Sequence, residues 1–308
     1  MSGHVAVAIV GFRNAADIAL CLTALSAQDH DDFEVVICEN GGPDAYAALS
    51  AVAPERLAGG REVRTLQAPA NLGFAGGVNL CLNQTPDADA WWILNPDTEP
   101  APGALSAMMA RLASGDCDGV GCVLYRSDGR VQSYGGRWRS WMARAESLGI
   151  GRGLADPIDA KAVERRQNYL NGASMLIGRR FLETTGPMRE DYFLYCEELE
   201  WCLRGRSLGM RLGFAPAARV MHRQGGATGA GAQYARRPRL PVYLDERNKI
   251  LLTRDRFATR LPIAAPVALA LLFLRCARAG GWRQWGYGLA GWRAGLLGER
   301  GPPKWLNP

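Results

Sequence analysis

Four stretches of the chain carry side chains whose types and spacing could do chemistry. The first is Asn95-Pro96-Asp97-Thr98, directly after the apolar run Ala90–Leu94. A carboxylate in a proline-forced turn at the C-terminal end of a strand projects into the crevice where open α/β sheets bind ligands. Hard divalent cations are held by one or two such carboxylates together with substrate phosphate oxygens. A plain Asx turn would use the same residue only for the bend. The second stretch is Phe193-Leu194-Tyr195-Cys196-Glu197-Glu198-Leu199-Glu200, with three carboxylates in four residues behind aromatic and apolar side chains. Acidic residues at a helix start complement its dipole. Held among apolar neighbours, one of them gains a raised pKa and becomes a general base, worth ~10²–10⁴ in rate.

Histidine supplies the third signal by its scarcity: only His4, His30 and His222 occur. His4 lies near the terminus and His30 among Asp29, Asp31 and Asp32, so both read as surface residues. His222 closes the run Arg219–His222 and precedes a glycine-rich stretch, a place for a metal ligand or for a structural imidazole. The fourth stretch, residues 71–79 (NLGFAGGVN), has neither G-x-G-x-x-G nor G-K-[ST], which excludes dinucleotide and P-loop readings. Glycines ahead of a helix still let backbone approach a ligand closely.

These stretches need elements to position them. Apolar runs at 5–10, 33–38, 63–67, 90–94 and 120–125 read as strands, and helical spacing marks 15–27, 76–84 and 102–113. Alternation of this kind means an α/β fold, a Rossmann-like, mostly parallel sheet covered by helices on both faces. Residues 126–167 read as irregular, 169–177 as apolar, 197–208 as a helix and 219–222 as a final short strand. Residues 225–239 (GGATGAGAQYARRPR) form a flexible basic segment suited to a lid, and from Val242 onward the pattern is helical. The expected division is a catalytic domain over 1–240 and a basic helical subdomain over 241–308.

Composition agrees with a packed enzyme-sized chain. Of 308 residues, 48% are hydrophobic and 21% charged, which excludes a disordered protein. Eight cysteines without a CxxC pair argue for reduced thiols and against a zinc ribbon. The longest apolar run, Leu261–Leu274, falls short of the ~20 residues of a membrane span. With Met1–Gly3 leading straight into a strand, the expectation is a cytoplasmic protein without a signal peptide. Charge is uneven: residues 236–308 hold 14 Lys/Arg against 4 Asp/Glu, while the preceding residues are mildly acidic. A basic tail with Trp282, Trp285, Tyr287 and Trp292 suits the headgroup region of a membrane. Packing on the catalytic core or on a second copy, as a homodimer, is the alternative. A nucleic acid is disfavoured, because the tail lacks an aromatic-basic stacking run.

Taken in order, AIVGFRN, FEVVICENGG, NLGFAGGVN, WWILNPDTEPAPGAL, LNGASMLIGRR, DYFLYCEELEWCLR and ARVMHRQGGATG resemble family 2 of the glycosyltransferases, in its rhamnosyltransferase-like branch, over residues 4–256. The resemblance implies a GT-A fold, a nucleotide-sugar donor, Mg²⁺ or Mn²⁺, and inversion at the anomeric carbon. It implies Asp97 as the metal-binding acid, with Asn95 where the family has its first acid, and His222 as second ligand. Glu198 falls at the general base. Glu39 falls at the acid that reads the nucleotide base, with Val10, Gly11, Phe12 and Arg13 lining that pocket. Asn71, Gly73, Phe74, Gly77 and Asn79 match the loop around the donor ribose and sugar. Gly11-Phe12 replaces Thr-Tyr, and Glu39 and Glu198 each replace aspartate. Arg236 and Arg237 are expected to close over the diphosphate. The expected donor is dTDP-rhamnose, with UDP-galactofuranose or another UDP-hexose as alternative. The expected acceptor is a glycan or lipid-linked glycan of cell-surface polysaccharide synthesis. A non-catalytic sugar-nucleotide-binding protein is the reading outside enzymes.

Overall fold

The computed structural model describes residues 3–223, 229 and 232–306. Eleven strands are present among them: β1 Val5–Gly11, β2 Phe33–Glu39, β3 Val63–Gln67, β4 Ala90–Leu94, β5 Thr98–Pro100, β6 Gly119–Tyr125, β7 Val131–Ser133, β8 Gly136–Arg139, β9 Arg144–Ser147, β10 Ser174–Gly178 and β11 Leu212–His222. The helices are α1 Ala15–Ser26, α2 Pro43–Ser50, α3 Gly73–Asn83, α4 Ala104–Leu112, α5 Ala160–Arg166, α6 Arg179–Thr185, α7 Glu197–Ser207, α8 Arg239–Arg256, α9 Leu261–Ala279 and α10 Trp282–Leu297.

The main sheet runs β3-β2-β1-β4-β10-β6-β11-β5, with β7 beside β6. Strands β1 to β4 are mutually parallel, as the strand–helix alternation requires. β1, β2 and β4 are buried on both faces, with every residue of β1 and β4 buried, while the edge strand β3 is half-exposed. β10 enters antiparallel between β4 and β6, while β11 lies parallel to β6. This insertion joins the parallel half to the half that carries the acid–histidine pair. β11 is longer than its sequence signal suggests, because a register break between Ala215 and Arg219 bends it. Beyond the bend its end reaches β5, with His222 opposite Thr98.

The stretch 126–167 is more ordered than its composition implies: it holds β7, the β8–β9 hairpin and α5. No break in packing marks residue 240, which falls inside α8. Ile250, Leu251 and Leu252 of α8 and Ala264, Ala265 and Ala268 of α9 share one core cluster with Trp91, Met175 and Trp201. An ionic cluster fastens the far end: Arg300 pairs with Asp255 at 2.5 Å and Asp191 at 3.1 Å, and Arg189 pairs with Asp255 at 2.9 Å.

Ala258–Ala279 is long and apolar enough, by length and composition, to cross a membrane. Counting uninterrupted apolar residues misses this, since Arg275 and Arg278 interrupt the run. One face of α9 is already used: Ala264, Ala265, Ala268, Leu272 and Cys276 are buried. Ile263, Phe273 and Leu274 on the other face are exposed.

Candidate active site

The strand ends bring Asn95, Asp97 and His222 together. The Asn95 N–H donates to the Ala173 carbonyl at 2.9 Å, and the Arg223 N–H donates to the Asp97 carbonyl at 3.0 Å. Thr98 Oγ1 closes the turn by donating to the Asn95 carbonyl at 2.6 Å. The imidazole Nε2 of His222 lies 3.2 Å from Asp97 Oδ1 and 3.4 Å from Asn95 Nδ2. Its Nδ1 lies 3.0 Å from Gln132 Oε1. That partner assigns the ring proton to Nδ1 and leaves the Nε2 lone pair turned toward the carboxylate. A lone pair and a carboxylate oxygen facing each other repel unless a proton or a cation lies between them. The donor set, one imidazole nitrogen and one carboxylate oxygen, fits a divalent cation. Among the described residues no group of three or more His, Cys, Asp or Glu gathers. A cation here would therefore complete its shell with substrate and water oxygens.

Glu198 lies at the first turn of α7, and its side chain abuts Gly172, next to the Ala173 that anchors Asn95. Glu198 is half-buried. Burial pushes its carboxyl up to about 7, against the pull of the Glu198 and Leu199 N–H groups. Glu197 is more deeply buried, and its Oε2 has no hydrogen-bond partner. Burial first, and then the charge on Glu198, hold Glu197 well above the usual carboxylate range. Burial thus raises both carboxyls of this adjacent pair.

The loop ahead of Glu198 is strained. Phe193, Tyr195 and Cys196 have φ of 67°, 73° and 69°, each costing about 1–2 kcal/mol for an L-residue. Asn248 of α8, wholly buried, holds this path open. Its Nδ2 lies 2.9, 2.8 and 2.8 Å from the carbonyls of Tyr192, Leu194 and Tyr195, to which its two hydrogens donate, one of them shared. Sequence reading missed Asn248; its signal is an amide inside an otherwise buried helix face. Gln132, which fixes the His222 tautomer, was missed as well.

Glu39 ends β2, paired in register with Gly11 at the end of β1. Glu39 is fully buried; its Oε1 accepts from the N–H groups of Arg13 at 3.0 Å and Gly41 at 2.7 Å, while Oε2 has no partner. A buried carboxylate oxygen without a partner is an acceptor with unused capacity. Gly11 is what admits it: a Cβ there would lie 2.6 Å from Glu39 Oε2. The glycine at 11 and the longer acid at 39 are thus one geometric unit. Val10 is buried, while Phe12 and Arg13 are exposed, stacked with the guanidinium 5.4 Å from the ring.

The loop at 71–79 divides between contact and support. Asn71 is exposed, and its Oδ1 accepts the Gly73 N–H at 3.1 Å. Gly73 has φ +72°, and a Cβ there would strike the Phe193 carbonyl oxygen at 2.1 Å. Phe74 N–H donates to that same oxygen at 2.8 Å, so this loop and the strained loop brace each other. Gly77 lets α3 approach Val10, 2.6 Å from where its Cβ would be. Asn79 needs correction as a donor contact. It is buried, and its amide donates to the Met188 carbonyl and Glu190 Oε1, both at 2.9 Å, and accepts the Met188 N–H at 3.0 Å. The fold consumes its hydrogen-bonding capacity, and it positions the turn before Glu190. Asn40, not singled out from the sequence, clamps the loop through the Leu72 N–H and the Gly73 carbonyl.

Of the basic segment, residues 224–228, 230 and 231 lie outside the described residues. Arg236 is exposed. Arg237 is turned onto the Tyr234 ring at 5.5 Å and the Ala232 carbonyl at 3.3 Å, and its own carbonyl accepts from Gln284 of α10. These contacts tie Arg237 to the C-terminal helices, not to Asp97 and His222 as expected.

Solved structures define the class. Mannosyltransferase PcManGT from Pyrobaculum calidifontis, solved with GDP-Man and Mn²⁺, matches at TM-score 0.59 and 17% identity over 97% of this chain and 88% of its own. TarS of S. aureus, solved with UDP-GlcNAc, matches at TM-score 0.58 and 13% identity over 95% and 81%. The architecture is that of the GT-A glycosyltransferases. By sequence, the N-acetylglucosaminyl-diphospho-decaprenol L-rhamnosyltransferase of Mycobacterium tuberculosis is 25% identical over 232 residues, 68% of this chain and 72% of that protein. The model for glycosyl transferase family 2 matches residues 6–170. The chain belongs to that family and is a hexosyltransferase.

Proposed function

We propose that this enzyme is an inverting, metal-dependent glycosyltransferase that moves L-rhamnose from dTDP-rhamnose onto a lipid-linked glycan in cell-surface polysaccharide synthesis. The observations that carry the reading are the Asp97–His222 pair and Glu198, pushed up to about 7 by burial and set against Gly172, one residue before the Ala173 that anchors Asn95. Glu39 Oε2 accepts from the pyrimidine N–H, and Asn71 and Phe74 border the sugar. Asp97 and His222 would hold Mg²⁺ or Mn²⁺, which when bound neutralises charge on the departing nucleoside diphosphate. Glu198 removes the acceptor hydroxyl proton as the oxygen attacks the anomeric carbon from the opposite face, so a single displacement inverts configuration.

The donor assignment is supported by the rhamnosyltransferase relative and by the NPDT and NLGFAGG segments; UDP-galactofuranose or another UDP-hexose is the alternative. The exposed apolar face of α9, with Trp282 and the arginines of α10, supports attachment to the cytoplasmic face of a membrane. The test is a thermal-shift and donor-hydrolysis screen over nucleotide sugars with and without Mn²⁺. dTDP-rhamnose should give the largest metal-dependent shift and slow hydrolysis. Stabilisation without any hydrolysis or transfer would point to a binding protein instead.

A further inference from the structure

A second cleft, of about 440 Å³, opens between the β8–β9 hairpin and helices α8 and α9. Its lining combines two chemistries. Arg144, Lys249, Arg275 and Arg278 bring four cations, while Leu271 and Leu274 bring aliphatic surface. Two of the cations are already answered within the fold. Lys249 Nζ lies 2.6 Å from Asp245 and 3.1 Å from Glu246, and Arg275 lies 3.3 Å from Glu246. Arg144 and Arg278 make no ion pair among the described residues. Two unanswered guanidinium groups at an apolar wall match an amphiphile whose head bears two negative charges.

The position of the cleft selects among such amphiphiles. Helix α8 supplies its floor through Glu246 and Lys249, and the intervening Asn248 holds the strained loop that leads into Glu198. Strand β9 supplies Arg144 and, two residues on, Glu146. Glu146 and Glu198 both act on the Tyr169 phenol, which burial first of all pushes up. Ala143 and Ala268 of the lining share a core cluster with Tyr169, Cys196 and Leu199, which places the cleft beside the segment that carries Glu198. Its rim is equally informative: Leu274 is 45% exposed, and Phe273 and Ile263 continue the apolar surface along α9. A chain seated on Leu271 and Leu274 can leave the protein along that face without crossing polar surface.

We propose that this cleft is the subsite for the lipid diphosphate of the acceptor. Arg144 and Arg278 bind the two phosphate charges, Leu271 and Leu274 bind the first segment of the hydrocarbon chain, and the attached sugar extends toward Glu198. The proposal rests on the lipid-linked acceptor reading above and adds the residues that recognise it. Loss of two charge-assisted hydrogen-bonding groups should weaken such a ligand at least tenfold.

Calorimetric titration of the full-length protein with farnesyl diphosphate, farnesol and inorganic pyrophosphate tests it. Farnesyl diphosphate should bind at least tenfold more tightly than either fragment. Arg144→Ala with Arg278→Ala should lower that affinity at least tenfold, as should Leu274→Asp. Arg278 is exposed at the end of α9, so Arg278→Gln alone gives a variant that keeps its fold, with an expected loss of about threefold or more, and melting curves verify each protein. Equal affinity of variants and wild type would overturn the assignment. So would pyrophosphate binding as tightly as the prenyl diphosphate, which marks an anion site without lipid, or farnesol doing so, which marks an apolar cleft without anion. Failure of glycosyl transfer is separately visible. A protein that binds farnesyl diphosphate through these arginines but turns over no nucleotide sugar refutes the enzymatic reading and leaves the subsite standing.

Discussion

At the scale of single residues, the reaction turns on where protons and lone pairs sit. Glu198 titrates near 7 because burial disfavours its charged form. Only the ionised form accepts a proton, so kcat should rise with pH through about 7 and level off above it; a flat profile from pH 5.5 to 8.5 would remove Glu198 from the base role. Glu198→Gln should cut transfer at least ~100-fold while nucleotide binding survives. The stability effect has the opposite sign. A folded carboxyl pKa above its unfolded value favours the folded state when protonated, and that advantage is lost as pH rises through about 7. Glu198→Gln should therefore melt higher than wild type at pH 8, with the difference closing toward pH 4. For Asp97→Asn, Mn²⁺-dependent donor binding should weaken at least tenfold by calorimetry, because a neutral amide replaces the carboxylate. Gly11 and Glu39 give a coupled prediction: Gly11→Ala crowds Oε2 and lowers dTDP affinity, and Glu39→Asp should recover part of it. Their effects should be non-additive by about 1 kcal/mol; strict additivity would separate the two positions.

At the scale of elements, α8 is the part that decides the site. Its Asn248 amide satisfies three carbonyls of a loop with three left-handed non-glycine residues, and that loop places Glu198. Asn248→Asp keeps the shape but loses the donor and buries a charge. Unfolding by urea should show a loss of at least about 2 kcal/mol, together with a fall in kcat greater than the fall in donor affinity. Normal turnover in that variant would show that the loop holds its path without the clamp. The NPDT turn, the helix start at Glu197 and the glycines of the 71–79 loop were all legible in the sequence, since each follows from local turn and helix chemistry. The roles of Asn79, Asn40, Gln132 and Asn248 were not. An amide's function lies in its partners, and here these stand between 32 and 111 residues away.

For the whole molecule, the question is how the C-terminal helices relate to the body and to a surface. α8 and one face of α9 belong to the main core, while α9 and α10 turn Ile263, Phe273, Leu274, Trp282 and Leu297 outward. Full-length protein should float with anionic vesicles at low salt and be released in part at ~0.5 M salt, since screening removes the charge attraction but not the apolar insertion. Recovery wholly in the soluble fraction at low salt would leave self-association as the use of this face. The residues by themselves determined the α/β alternation and the parallel half-sheet, because periodicity and turn residues act over short stretches of chain, and seven segments in order carried the resemblance to the family. They also marked Asp97, His222 and Glu198 as candidates by type and place, and Glu39 through the family resemblance. Only the tertiary structure decided that β11, bent past its register break, lays His222 opposite Thr98, and that the glycine at 11 makes room for the glutamate at 39. It alone joined 241–256 to the catalytic core. Those outcomes depend on which surfaces meet when distant segments pack, and no local pattern encodes the distance between them.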